Sequence, residues 1–168
     1  TPFDLDISPD GSLISASYGE INGTQSVRVW TMQGFEESGT PNEVARLDLA
    51  SSTPEGFTFA PDGKTMYGTS YYTGVSNIFR FDLDTQKYEV LYNASTGFFR
   101  PMPRPDGQLL VYEYTGQGLS PSLIRGENRE VLGTIEFLGT KVIKARPELK
   151  EWGVGSAAKV DLDPLVKA

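Results

Sequence analysis

Three stretches of the chain share one pattern of apolar and polar positions. In each, a short apolar run and a longer run rich in β-branched and aromatic residues are separated by Pro-Asp-Gly. Proline sets the first φ of a turn, aspartate can bond the backbone that follows it, and glycine accepts the positive φ that closes a hairpin. The pattern therefore predicts three copies of one strand–turn–strand unit. The tripeptides are Pro9-Asp10-Gly11, Pro61-Asp62-Gly63 and Pro105-Asp106-Gly107.

Each copy continues into runs with the composition of further strands. We expect second strands at 12–18, 64–72 and 108–114, third strands at 26–32, 77–83 and 121–126, and fourth strands at 42–49, 87–93 and 129–137. The tripeptides lie 52 and 44 residues apart, and we interpret QGFEESGTPN in the longer interval as an insertion between a third and a fourth strand. Four short antiparallel strands repeated about every 40 to 45 residues are typical of a β-propeller blade.

The second copy carries a resemblance to a known family. FAPDGK followed by SNIFRFDLDTQKYEVL resembles the TolB-type, WD-like β-propeller repeats, in which an aromatic residue precedes Pro-Asp-Gly-Lys. ISPDGSLISASY is similar, whereas PRPDGQLLVYEY keeps the turn without the aromatic residue. The resemblance covers about residues 3–138 and implies a periplasmic or outer-membrane-associated bacterial protein. It implies an all-β partial propeller, 1–139, with about three blades (1–50, 51–95 and 96–139), and a short irregular C-terminal tail, 140–168.

The third copy contains an alternation of prolines that bears on the position of its first strand. Pro101, Pro103 and Pro105 are two residues apart, so an extended strand would place the three missing N–H groups on one edge. Because no ladder bond can be donated from that edge, the strand must lie at the edge of its sheet. The innermost strand of a propeller blade, with its free edge facing the central channel, meets this requirement.

The tail differs in pattern from the repeats. Pro147 predicts the start of a short helical turn. Glu148 is typical of the N-terminal end of such a turn, and Gly153 predicts its C-terminal end. We interpret the tail as a capping extension or as a linker, since it is similar to the segment that joins a TolB-like propeller to an outer-membrane β-barrel in some bacterial surface antigens. The chain also begins inside a motif, as a fragment of a larger envelope protein would.

Composition excludes several classes of function. The formal net charge of −7, without clustered Lys and Arg, argues against a nucleic-acid partner. The chain has no Cys and no His, which rules out a disulfide, a thiolate nucleophile and a Ser-His-Asp triad within it. No apolar run approaches the roughly 20 residues of a membrane-spanning helix. We therefore expect no catalytic residue in this chain and no membrane span.

Three Asp-Leu-Asp triplets, Asp4–Asp6, Asp82–Asp84 and Asp161–Asp163, raise the question of a cation site. None continues into the Asp/Asn, Gly and distal Glu pattern of a calcium loop. Alternation on a half-buried strand, or at its end, accounts for them without a ligand. We expect neither a metal nor a cofactor.

The aromatic residues are the strongest candidates for binding. Tyrosines stand where each second strand approaches the loop that leads to the third strand, and alternate loops of antiparallel strands lie at opposite ends of a sheet. Arg100 shares one side of its strand with Phe98 by the period of two, and a guanidinium beside an aromatic ring suits a carboxylate or carbonyl of a partner. The alternative is that the rings only pack between blades. The predicted partner-binding residues are Tyr71, Tyr72, Phe98, Arg100 and Tyr114.

Two functions follow from these observations. The first is a non-enzymatic propeller module that binds a protein in the bacterial envelope. The alternative is the accessory propeller of a prolyl-oligopeptidase-type serine peptidase, which would gate substrate access to a catalytic domain outside this chain. In both cases we expect further blades, from the parent chain or from a second copy, to cover the terminal blades.

Overall fold

The described strands form three antiparallel sheets. The structure is a computed structural model that describes residues 2–39, 42–92, 94–125, 142 and 145–151. The chain divides into two compact units, Thr1–Ile135 and Glu136–Ala168. All of the described strands lie in the first unit, and the expected all-β fold of four-stranded antiparallel sheets is confirmed.

Sheet 1 has the four strands that the pattern predicted, and they pair in the order in which they occur in the chain. The predicted insertion contains a short helix, α1 (Met32–Ser38), which ends at Gly39 in the left-handed conformation with φ 63°. The strands are β1 (Pro2–Ile7), β2 (Leu13–Gly19), β3 (Gln25–Thr31) and β4 (Asn42–Asp48).

Sheet 2 repeats this arrangement, and the described part of sheet 3 repeats its first three strands. Sheet 2 consists of β5 (Pro54–Phe59), β6 (Thr65–Ser70), β7 (Asn77–Asp82) and β8 (Lys87–Val90), again in chain order. Sheet 3 consists of β9 (Phe98–Pro103), β10 (Gln108–Thr115) and β11 (Gly118–Arg125). The fourth strand predicted for this copy, at 129–137, lies outside the described residues.

The first strands of the sheets lie next to one another, β1 beside β5 and β5 beside β9. In sheet 3, β9 is an edge strand, as the alternation of prolines predicted. Pro101 and Pro103 are in β9, whereas Pro105 belongs to the following turn. The missing N–H groups are therefore accommodated without loss of a central ladder bond.

The core lies between the sheets and not within any one of them. A cluster centred on Phe79 and Phe81, both fully buried, joins sheets 1 and 2. A smaller cluster of Ile78, Leu91, Leu109 and Val111 joins sheets 2 and 3. Full burial of one such side chain contributes about 1.5–3 kcal/mol, so each sheet depends on its neighbour for stability.

In the second unit, the helical turn predicted at Pro147 is present as a 3₁₀ helix, Pro147–Glu151, with Glu148 in its first turn. Gly153 and the third Asp-Leu-Asp triplet lie outside the described residues. No helix in the described part of the chain is both long enough and apolar enough to cross a membrane.

Candidate functional site

The three first strands share an irregularity that the sequence pattern did not show. Asp4, Gly56 and Arg100 each lie five residues before the proline of a Pro-Asp-Gly turn, and their φ angles are 51°, 59° and 48°. The register of each first strand against the second shifts at this point, which is a β-bulge. Asp4 and Arg100 are therefore non-glycine residues held in the left-handed region, a conformation that often occurs at binding sites.

At these bulges the side chain of one sheet contacts the backbone of the next. The Gly56 N–H donates to Asp4 Oδ2 at 3.0 Å. Asp6 Oδ2 accepts from the Thr58 hydroxyl at 2.7 Å and from the Phe59 N–H at 2.8 Å. The first Asp-Leu-Asp triplet thus connects β1 to β5, and each carboxylate has a protein donor.

Arg100 adjoins the same bulge of sheet 2. A Cβ built on Gly56 would lie 3.2 Å from Arg100 Cγ and 3.3 Å from its Cα, so a larger residue would displace Arg100 by a few tenths of an ångström. The arginine is exposed. Arg28, Arg46, Arg80 and Arg104 all pair with carboxylates, whereas Arg100 forms no ion pair with any residue that the structure describes.

Tyr71 and Phe99 form an aromatic pair where sheets 2 and 3 meet. Tyr71 is 48% exposed and begins a 3₁₀ helix, Tyr71–Thr73, which Ser70 caps by accepting from the Tyr72 N–H at 3.3 Å. The Tyr71 and Phe99 ring centroids are 6.3 Å apart. The Phe99 ring lies over Gly97, where a Cβ would come within 3.2 Å of it.

Tyr114 is 53% exposed near the same loop. Its N–H donates to the Gly97 carbonyl at 3.0 Å, which ties the end of β10 to the segment that enters β9. We call Tyr71, Phe99, Arg100 and Tyr114 the candidate surface. Tyr71, Phe99 and Tyr114 expose aromatic area, and Arg100 supplies a cation on the edge strand.

Two of the predicted binding residues contribute mainly to packing. Tyr72 is half-buried against the core of sheets 1 and 2, with ring contacts to Phe79 at 6.2 Å and Tyr88 at 6.5 Å. Burial raises the pKa of Tyr88, and a hydrogen bond with Tyr72 raises it further. Phe98 packs on the core of sheets 2 and 3, 5.5 Å from the Tyr92 ring.

The bulge at Arg100 explains why Phe98 packs on the core whereas Arg100 is exposed. The period of two placed them on one side of β9, but the register shifts between Phe99 and Met102 and interrupts the alternation. Sequence reasoning missed Phe99 for the same reason. The Phe-Phe pair before Arg100 was the available signal, and only the bulge decides which ring pairs with Tyr71.

The opposite end of the sheets carries the Pro-Asp-Gly turns. Gly11, Gly63 and Gly107 have φ of 74°, 68° and 78°. Asp10 accepts from the Ser12 N–H, Asp62 from the Lys64 N–H and Asp106 from the Gln108 N–H, at 2.8–3.1 Å. Hydrogen bonds from Ser8 and Ser12 lower the pKa of Asp10 to about 2. Burial raises the pKa of Asp62, but hydrogen bonds from Lys64 and Thr65 outweigh it and the net shift is downward.

A shallow cleft of about 210 Å³ lies between sheets 2 and 3 at this turn end. It is lined by Tyr67, Pro103 and residues of the second and third turns, including Asp62 and Arg104. Both charged groups are already engaged, Asp62 by its own turn and Arg104 by Asp106 at 3.0 Å. The cleft therefore offers less unpaired charge than the bulge at Arg100.

Comparisons with known proteins bear on the fold. No family model and no curated protein sequence matches this chain. A putative TolB from Agrobacterium tumefaciens matches with a TM-score of 0.60 at 20% identity, over 80% of this chain and 50% of that one. TolB from Acinetobacter baumannii matches with a TM-score of 0.57 at 16% identity, over 79% of this chain and 30% of that one. The sheets are blades of a β-propeller.

The solved structures with the same propeller fold include an enzyme. A puromycin-hydrolyzing peptidase from Mycobacterium tuberculosis matches with a TM-score of 0.56 at 19% identity, over 82% of this chain and 22% of that one. This chain therefore spans half, or less, of the length of these solved structures. At such identities the likeness establishes the propeller fold and leaves the activity open.

Proposed function

We propose that this chain is part of a non-enzymatic β-propeller of the bacterial envelope that binds a protein partner through the candidate surface. Its TolB-like fold supports this proposal, since the resemblance of the repeats implies a periplasmic protein-binding module. The chain contributes no histidine and no cysteine, the residue types on which most nucleophilic sites depend.

One observation carries the proposal. Tyr71, beside Phe99, and Tyr114, whose N–H bonds the Gly97 carbonyl, each expose about half of their surface, and an arginine without an ion pair among the described residues stands on the edge strand β9. Tyrosine and arginine are enriched at the centres of protein interfaces because they add large contact areas and directional hydrogen bonds. The cleft between sheets 2 and 3 at the turn end lacks this combination, since the charged groups that line it are paired.

A second candidate is the accessory propeller of a prolyl-oligopeptidase-type peptidase. The match to the puromycin-hydrolyzing peptidase favours it, because that protein contains the same fold within a longer chain. The flanking gene sequence discriminates between the two. A Gly-x-Ser-x-Gly motif with distant Asp and His residues would support the peptidase, in which the candidate surface would face the catalytic domain.

The experiment uses a photo-crosslinking amino acid, p-benzoylphenylalanine, placed at Tyr114 or at Lys64 in cells that express the protein. Lys64 is the control because it lies beside the second turn and, among the described residues, pairs only with Asp84, at 3.4 Å, in an exposed ion pair. We expect adducts with one protein from position 114 and none from position 64.

A binding titration with the captured protein then measures how much each side chain contributes to the affinity. Tyr114→Ala and Arg100→Ala should each weaken binding by about 2 kcal/mol or more, or roughly thirtyfold, as central anchors do. Lys64→Ala should change it by less than about 0.5 kcal/mol. If Lys64→Ala weakens binding more than the other two while all variants stay folded, the binding surface lies at the turn end and the proposal is wrong.

A further inference from the structure

We propose that Arg100 binds a carboxylate group of the protein partner, and that this carboxylate takes the position that the Asp4 side chain holds one sheet earlier. The inference rests on the proposed function and specifies its chemistry. It derives from a comparison of the two junctions between first strands, β1 with β5 and β5 with β9.

The first junction shows what the bulge recognises. The Gly56 N–H, at a left-handed bulge residue, donates to the Asp4 carboxylate at 3.0 Å. The donor is an amide that the bulge directs away from its own sheet, and the acceptor is a side chain of the preceding sheet. A backbone N–H that meets a carboxylate forms a charge-assisted hydrogen bond, which is stronger than a neutral one.

The second junction has the same backbone but lacks that acceptor. Arg100 has the φ of Gly56 within about 11° and the same position before its turn. The residue of sheet 2 that corresponds to Asp4 is Gly56, which has no side chain. The Arg100 N–H therefore corresponds to the Gly56 N–H, which donates to a carboxylate, but sheet 2 has no carboxylate at the corresponding position.

The neighbouring pair of positions shows that this difference is specific. At the first junction Asp6 accepts from the Phe59 N–H at 2.8 Å. At the second, the counterparts are Thr58, which has no carboxylate, and Pro103, which has no N–H. Donor and acceptor are lost together there. At the pair of Gly56 and Arg100 only the carboxylate acceptor is missing. The Arg100 N–H remains as the donor, and the arginine adds a cationic side chain.

The guanidinium makes the position selective for an anion. Arg100 is exposed, has no ion pair among the described residues, and lies so close to Gly56 that a Cβ there would be 3.2 Å from its Cγ. Its planar donors match the geometry of a carboxylate in a two-point contact. The amide and the guanidinium of one residue together define a site for an Asp or Glu side chain, or for a C-terminal carboxylate.

The test is an NMR titration of the ¹⁵N-labelled 168-residue chain, in the assembly that it forms in solution, with two peptides, acetyl-Leu-Asp-Leu-amide and acetyl-Leu-Asn-Leu-amide. We expect the Asp peptide to shift the Arg100 amide and side-chain Nε resonances in a saturable way. The Asn peptide, which differs only in the carboxylate, should bind at least about tenfold more weakly. Arg100→Gln should weaken binding of the Asp peptide by the same factor. Lys64→Gln, which removes an exposed cation elsewhere, should not weaken it.

A substitution at Gly56 provides a more specific test of the carboxylate site. Gly56→Asp restores within the chain the acceptor that Asp4 supplies at the first junction, and it should weaken binding of the Asp peptide at least about tenfold. Gly56→Ala is the matched control, because it adds the same crowding against Arg100 without a carboxylate. Aspartate is compatible with the backbone here, since Asp4 itself has a φ of 51°.

The outcomes separate the two proposals. If both peptides shift the same resonances equally, or if Gly56→Asp and Gly56→Ala bind the Asp peptide equally well, the carboxylate site is wrong. Such a result together with crosslinks from Tyr114 would leave the protein-binding surface in place. A selective carboxylate response at Arg100 without any crosslink from Tyr114 would support the site and remove the surface proposed around it.

Discussion

Asp10 shows how one residue of a turn acquires an unusual ionisation. Its carboxylate accepts hydrogen bonds from the Ser8 hydroxyl at 2.7 Å, the Ser12 N–H at 3.0 Å and the Ser12 hydroxyl at 2.8 Å. All three favour the charged form, and they lower the pKa of Asp10 to about 2. A lowered pKa in the folded state means that ionisation of this group stabilises the fold.

The pH dependence follows from the sign of this shift. The contribution is fully present above the unfolded pKa, about 3.8, and is lost as the pH falls through the folded value of about 2. We expect the difference in unfolding free energy between the natural chain and Asp10→Asn to shrink from pH 4 to pH 2. Urea unfolding at pH 7, 4, 3 and 2 measures it, and a difference that stays constant over this range would contradict the assignment.

At the scale of elements, the first strands are joined by side chains as well as by apolar packing. Asp6 in β1 receives two donors from β5, the Thr58 hydroxyl and the Phe59 N–H. Asp84 belongs to a triplet of the same sequence, yet its carboxylate forms only an exposed ion pair with Lys64 within the described part of the chain. Identical Asp-Leu-Asp triplets thus have different roles, which depend on whether a neighbouring sheet presents donors.

Asp6→Ala should therefore destabilise the protein by about 1.5–3 kcal/mol, since it removes charge-assisted bonds and leaves the Phe59 N–H without its acceptor. Asp84→Ala should cost less than about 1 kcal/mol, as is usual for an exposed ion pair. Chemical denaturation of the two variants beside the natural chain provides the comparison. Equal losses would show that Asp6 does not link the sheets.

At the scale of the whole molecule, sheet 3 presents an apolar face that no described sheet covers. Leu110 and Tyr112 lie opposite Leu123 and Pro121 across two strands, Leu119 and Met102 extend the row, and Tyr114 at its end belongs to the candidate surface. Leu110, Tyr112, Leu119, Leu123 and Met102 are 39–60% exposed, whereas Leu109 and Val111 on the other face are buried. Burial from full exposure contributes about 1.5–3 kcal/mol per side chain, and about half of that remains to be gained here, so covering this face would add a large part of a typical total stability of about 5–15 kcal/mol.

We therefore expect the purified chain not to persist as an isolated three-bladed monomer. Light scattering should show association, and Leu119→Lys with Leu123→Lys should reduce it by placing charge on the apolar face. Ile21→Lys is the control, since Ile21 is a fully exposed apolar residue in a turn of sheet 1. A stable, cooperatively melting monomer of the natural chain would contradict this expectation.

The sequence by itself determined the features that depend on local backbone preference. The strands, their order within each sheet and the edge position of β9 followed from alternation, from Pro-Asp-Gly and from prolines that cannot donate, because each of these acts within a few residues of the chain.

Tertiary structure decided what each side chain touches. The bulge at Arg100 broke the period of two and paired Phe99, not Phe98, with Tyr71. Tyr72 turned toward Phe79, and Asp6 found its donor 53 residues away in Phe59. These contacts join residues far apart in the chain, and their geometry arises only when neighbouring sheets pack, so no local pattern encodes them.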